Sequence, residues 1–194
     1  LREKARDEIQ KLHEQNGQTI IYVTPDQQEA MALGDRIAVM NNGKIQMIDT
    51  PENLYHNPTN LFVAQFVGTP QINVFKANYF NHQLLDESGA VIANLTAYQD
   101  DGLQEDTDYL VGIRPENVQL TTDATKGDFQ VEIESIVDYG RYKQLTLKVF
   151  DRLEIKAVVS DWQRHGNQAV YAKLTSKAIL LFDARTLSLI HIWR

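Results

Sequence analysis

The chain has 194 residues, 43% of them hydrophobic and 23% charged, with a formal net charge of -7 and no cysteine. That length holds one large domain or two small ones, and the apolar fraction supports a packed core, which excludes disorder of the whole chain. The acidic balance, with no dense run of Lys and Arg, speaks against nucleic acid or anionic lipid as partners. Absent thiols exclude disulfides and thiolate metal sites, and no apolar stretch is long enough to span a bilayer.

Leu1, Ala5, Ile9 and Leu12 recur at helical spacing, and Gly17 supplies the stop. Leu1-Arg2-Glu3-Lys4 has neither an initiator Met nor a signal-peptide pattern and reads as helix interior, so the natural protein is expected to begin earlier. Residues 19–23 form a β-branched and aromatic run that predicts a buried strand after the helix, an αβ unit. In Thr24-Pro25-Asp26-Gln27, Thr as N-cap, Pro at the first helical position and Gln completing a capping box predict a helix over 25–33, closed by Gly34. Strands are predicted at 36–40 and 44–48, joined by the hairpin signal Asn41-Asn42-Gly43. Thr50-Pro51-Glu52 opens another helix by the same Thr-Pro logic. A short helix over 60–67 carries Leu61, Phe62, Ala64, Phe66 and Val67, which cover too much of its circumference for a lone surface helix.

Gly68-Thr69-Pro70 marks a break. Beyond it come short alternating segments at 73–79, 91–95, 109–113, 129–137, 142–149, 153–159, 169–173 and 179–182, separated by turn-rich stretches such as 99–108 and 121–128. Short strands with no helices between them predict a small β-barrel or sandwich. The domain boundary is placed near Pro70: an α+β part over 1–69 and an all-β domain over 70–186. Leu187-Ser188-Leu189-Ile190-His191-Ile192 resembles the translated end of a transposase-based sequencing adapter, so 187–194 is expected to be an artefactual tail, against the alternative of a natural apolar final strand.

Four strings taken together carry a family resemblance. They are Ile20-Ile21-Tyr22-Val23-Thr24-Pro25-Asp26-Gln27-Gln28-Glu29-Ala30, then Asp35-Arg36-Ile37-Ala38-Val39-Met40-Asn41-Asn42-Gly43-Lys44-Ile45, then Thr50-Pro51-Glu52-Asn53-Leu54-Tyr55 running into Pro58-Thr59-Asn60-Leu61-Phe62-Val63-Ala64, and Gly112-Ile113-Arg114-Pro115-Glu116. Their order and spacing resemble the ATP-binding subunits of carbohydrate ABC importers of the maltose and multiple-sugar type. The resemblance implies the C-terminal part of a nucleotide-binding domain, followed by a transport-associated OB-type regulatory domain to which the fourth string belongs. It also implies ATP and Mg²⁺ as cofactors of the intact parent, a homodimer, membrane permease subunits and regulatory proteins as partners, no direct contact with the sugar, and a cytoplasmic place on the inner face of the cell membrane.

The chain contains no P-loop string G-x-x-x-x-G-K-[ST], whose backbone amides cradle nucleotide phosphates. The Gln loop, the signature sequence and the Walker B acidic residues are absent too; the resemblance places them upstream of Leu1, with Leu1-Arg2 just after the dimer-facing D-loop. The chain alone is therefore expected neither to bind ATP usefully nor to hold any cofactor or metal. The family carries a switch histidine directly after the strand and Thr24; here that position is Pro25. Proline has no side-chain donor and no N–H, so a fold that accepts it at a first helical turn loses a phosphoryl-transfer donor. Two causes compete: a single-base change from a His codon, or a degenerate ATPase. Thr24 and Asp26 are assigned to support of the switch loop.

Sharper readings of other residues have plainer rivals. Asp26 and Glu29 fit the electrostatics of a helix N-terminus better than an acid–base pair. His13, His56, His82 and His165 show no metal-ligand spacing. Arg114 fits an anion or a partner protein, but the favoured reading is structural, holding a loop through Glu116 or another carboxylate. Tyr139, Tyr142, Phe150 and Trp162 suit a stacking platform, yet most are expected to fill the barrel. The first functional reading is a piece of the energy-coupling ATPase; the alternative is a free-standing OB-type regulatory or ligand-binding module without ATPase activity.

Overall fold

The structure is a computed structural model that describes residues 2–95, 102–150, 152–163 and 168–191. Leu1, the first three residues of the expected turn-rich stretch 99–108, His165 and residues 192–194 lie outside the described residues. The chain divides into two compact units, Leu1–Thr59 and Asn60–Arg194.

In the first unit, helix α1 (Arg2–Asn16) stops where Gly17 takes φ +60 and donates its N–H to the His13 carbonyl at 2.9 Å. Only glycine adopts that left-handed turn without steric penalty. Residues 19–23, expected as a buried strand, form no ladder with any described residue, and Ile21 and Val23 are each 90% exposed. A strand exists only by exchanging backbone hydrogen bonds with a neighbour, and the described part of this unit supplies none. Helix α2 (Gln27–Leu33) begins two residues later than the Thr-Pro signal predicts. Asp26, not Thr24, is its N-cap: the carboxylate accepts the Gln28 and Glu29 amides at 2.9 and 3.2 Å. Aspartate caps at least as well as threonine, and the nearer carboxylate reaches two orphan amides at once.

Strands β1 (Ile37–Asn41) and β2 (Lys44–Asp49) pair antiparallel, with Val39 opposite Met47, both buried. Their turn, Asn42-Gly43, has φ of 49 and 73, the primed hairpin geometry that Asn-Gly favours. Helix α3 (Pro51–His56) carries the expected Thr50 cap on the Asn53 amide and buries Leu54 completely.

The second unit opens with helix α4 (Leu61–Phe66), capped by Asn60 on the Val63 amide at 3.0 Å. Eleven strands then follow among the described residues, separated by turns. One antiparallel sheet contains β3 (Asn73–Phe80), β4 (Gln83–Leu85), β5 (Val91–Asn94), β6 (Thr107–Ile113), β12 (Leu180–Asp183) and β13 (Leu189–His191), in the order β13-β12-β6-β3-β4-β5. The other contains β7 (Val118–Thr121), β8 (Phe129–Asp138), β9 (Lys143–Val149), β10 (Leu153–Val159) and β11 (Val170–Leu174), in the order β10-β9-β8-β11-β7. Residues facing inward from both sheets, among them Phe75, Tyr79, Val111, Leu145, Leu147 and Ile155, form one core. Period-two alternation selects them, as in β3, where Asn73, Phe75, Ala77 and Tyr79 are buried while Lys76 and Phe80 are exposed.

The six-stranded sheet is apolar on its outer face as well. Val74, Leu110, Leu180 and Phe182 alternate with the core residues and meet Leu61 and Ala64 of α4, with Ile72. Compactness therefore divides the chain before α4, upstream of the Gly68-Thr69-Pro70 break that composition marks. Two strands carried no sequence signal. β4 follows Asn81-His82, a turn with both φ positive (48 and 58) but without glycine, and β7 is four residues long after a 3-10 turn at Pro115–Asn117. In the segment read as an artefactual tail, β13 pairs with β12, and the Leu61 amide donates to the Leu187 carbonyl. An open sheet edge accepts any strand with this apolar alternation, whatever its origin.

Candidate functional site

The residues read as switch-loop support lie together at the start of α2. Thr24 Oγ1 donates to Glu29 Oε2 at 2.6 Å and accepts the Asp26 amide at 3.0 Å. The expected capping box between Thr24 and Gln27 is replaced by these two contacts and the Asp26 cap, which together fix the loop on either side of Pro25. An open depression of about 330 Å³ is bordered by Arg6, Ile9, Tyr22, Thr24, Pro25 and Glu29. Both carboxylates are engaged in holding the loop, and Pro25 at its rim supplies neither a side-chain proton nor an amide. The arrangement is that of a shaped, anchored loop whose position 25 offers no hydrogen-bond donor.

The Gly112–Glu116 string lies where β6 ends and the 3-10 turn begins. Gly112 lies in a tight spot: a Cβ would sit 3.0 Å from both Ile72 Cδ1 and Phe182 Cε2, so those two side chains would have to give by a few tenths of an ångström. Arg114 is buried, 3% exposed, and its Nη1 donates to the carbonyls of Ala64, at 2.9 Å, and Val67, at the C-terminal end of α4. Pro115 is buried at the first position of the turn, and Glu116 is exposed. Arg114 thus holds backbone carbonyls of an earlier helix, a partner the carboxylate-centred expectation did not include.

Of the four aromatic residues, Phe150 stacks obliquely on Phe129, 5.5 Å between centroids, and it and Trp162 pack against the core. Tyr139 and Tyr142 stack on each other at 5.0 Å at the β8–β9 turn, where Tyr139 is 54% exposed. His13 lies 3.5 Å from Asp35 and 2.8 Å from the Gln18 carbonyl, and His82 sits in the β3–β4 turn. One influential residue escaped the sequence reading. Asn73 is buried, and its side-chain amide makes both hydrogen bonds of a strand neighbour to β10, donating to the Lys156 carbonyl at 2.8 Å and accepting the Lys156 amide at 2.7 Å. Its one signal was an asparagine at the first position of an otherwise apolar-alternating strand.

No helix among the described residues is long and apolar enough to cross a membrane. No family model matches the chain. Its homologues are ATP-binding subunits of ABC importers for sugars and other cargoes. The sulfoquinovosyl glycerol transport ATP-binding protein of Agrobacterium fabrum is 32% identical over 98% of this chain and 53% of its own length. A xylose/arabinose import ATP-binding protein of Haloferax volcanii is 31% identical over 98% of this chain and 52% of its own. The osmoprotective compounds uptake ATP-binding protein of Synechocystis sp. is 46% identical over 61% of this chain and 32% of its own. The chain thus spans about half the length of the first two.

Proposed function

We propose that the chain is the C-terminal part of the energy-coupling ATPase of an ABC importer whose cargo is a carbohydrate. Alignment along 98% of the chain with importer ATP-binding proteins carries this reading. In it, Leu1–Thr59 belongs to the nucleotide-binding domain, and the β unit is the transport-associated OB-type regulatory domain. The ATP site itself, with its Mg²⁺, is built by residues that this sequence does not contain. The intact parent dimerises, engages permease subunits on the cytoplasmic face of the membrane and never touches the sugar. The relatives' names include xylose/arabinose and sulfoquinovosyl glycerol alongside spermidine/putrescine, so the sugar assignment rests on the four strings and their resemblance.

Within this reading Pro25 sits where a switch histidine orients the attacking water. Loss of one positioned donor of this kind costs about 10²–10³ in rate. The test has two arms. Sequencing the source locus is expected to find a P-loop in frame ahead of Leu1. Expressing that whole frame with Pro25 and with Pro25→His is expected to give ATP turnover at least about 10²-fold faster in the histidine form. Tight Mg-ATP binding and hydrolysis by the 194-residue chain alone would overturn the proposal.

A further inference from the structure

Helix α4 has six residues, too few to be helical in water without support. Its support comes from the β unit on three sides. The apolar face, Leu61 and Ala64, lies on Ile72, Leu180 and Phe182. The first amide, that of Leu61, donates to the Leu187 carbonyl at 2.9 Å. At the other end a buried guanidinium reaches two carbonyls of the last turn. A cation at a helix C-terminus is held by the partial negative charge of the carbonyls left without intrahelical partners. Arginine suits the place because it stays charged when buried and presents several donors in a fixed plane; lysine has one nitrogen on a flexible stem.

We propose that Arg114 is a clasp that makes α4 an obligate part of the β unit. The β unit then begins at Asn60, with α4 fixed to β6 and β12, and not at the Gly68-Thr69-Pro70 break. Gly112, two residues before the clasp, belongs to the same device, because its missing side chain lets Ile72 and Phe182 close up beneath the helix. The inference stands on the geometry of the β unit and does not depend on the proposed function.

Hydrogen exchange of the full chain tests it. In Arg114→Met the Ala64 and Val67 amides, which donate to the Asn60 and Val63 carbonyls, should exchange about 10–100-fold faster, while amides of β9 and β10 stay within about threefold of the unmodified chain. Arg114→Lys should give an intermediate, equally selective gain. Unchanged exchange in α4 would overturn the clasp. So would an equal rise in α4 and in β9, since Arg114 would then be a general core residue. Should neither variant fold, limited digestion of the unmodified chain with a broad-specificity protease decides. Trimming of the β product that halts before Leu61 supports the clasp, and a first stable product beginning after Val67 overturns it.

Discussion

Helix caps and hairpin turns are as well formed in Leu1–Thr59 as in Asn60–Arg194, but the interiors differ. Among the described residues of the first unit the buried apolar side chains are Val39, Met47, Leu54 and Pro58, while Ile21, Val23, Met40, Ile45 and Ile48 face solvent. The second unit carries a continuous core between two sheets and a further apolar layer under α4. A cap contributes about 1 kcal/mol. Full burial of one large aliphatic side chain contributes about 1.5–3 kcal/mol. Local signals therefore decide where elements start and stop in both units, whereas stability of tertiary structure is concentrated in the second.

The largest effect that separates the units is expected from Leu147→Ala. Leu147 is fully buried on β9, between Ile133 of β8 and Ile155 of β10 in the ladder. Removing its branched end should cost about 2–5 kcal/mol, lost transfer energy plus the cavity left behind. The measurement is the urea midpoint of the β unit followed by circular dichroism. A loss under about 1 kcal/mol would mean that the two sheets do not share a close-packed interior.

Asn73→Ala probes the link between β3 and β10, strands of the two sheets. Truncation leaves the Lys156 amide and carbonyl without the two bonds that Asn73 supplies. An unsatisfied buried backbone group costs about 1–3 kcal/mol, and partial access of water to β10 puts the expected loss near the lower end. Exchange of the Lys156 amide should accelerate more than that of Leu147. Equal acceleration at both would show that Asn73 acts on the whole core, not on this link.

The difference between the units also explains what could be read in advance. Thr50, Gly17 and Asn42-Gly43 act through atoms a few residues away, so their spacing alone announces caps and turns. The inward faces of β3, β8 and β9 follow from alternation of period two. Residues 19–23 have the composition of a strand but need a partner that lies elsewhere in sequence, and composition does not report whether one is present. Arg114 was conspicuous in its string, yet its receivers, the Ala64 and Val67 carbonyls, are backbone atoms and leave no trace in side-chain spacing. Asp26 outranked Thr24 as N-cap by a competition between two good caps two residues apart, which pattern matching does not resolve.

The smallest expected effect is the one that most sharpens the comparison. Ile21 is 90% exposed, so Ile21→Ser removes almost no buried apolar surface from this chain and should change its unfolding free energy, measured by urea titration, by less than about 0.5 kcal/mol. The same substitution in the whole parent frame should be strongly destabilising. The proposed function places residues 19–23 in a nucleotide-binding domain; where the rest of that domain covers Ile21, a buried isoleucine is worth about 1.5–3 kcal/mol and a serine hydroxyl brings an added desolvation cost. If Ile21→Ser instead costs 2 kcal/mol or more here by the same measure, this segment already has a buried partner within the 194 residues, and the contrast between a sparsely buried first unit and a well-packed second one fails.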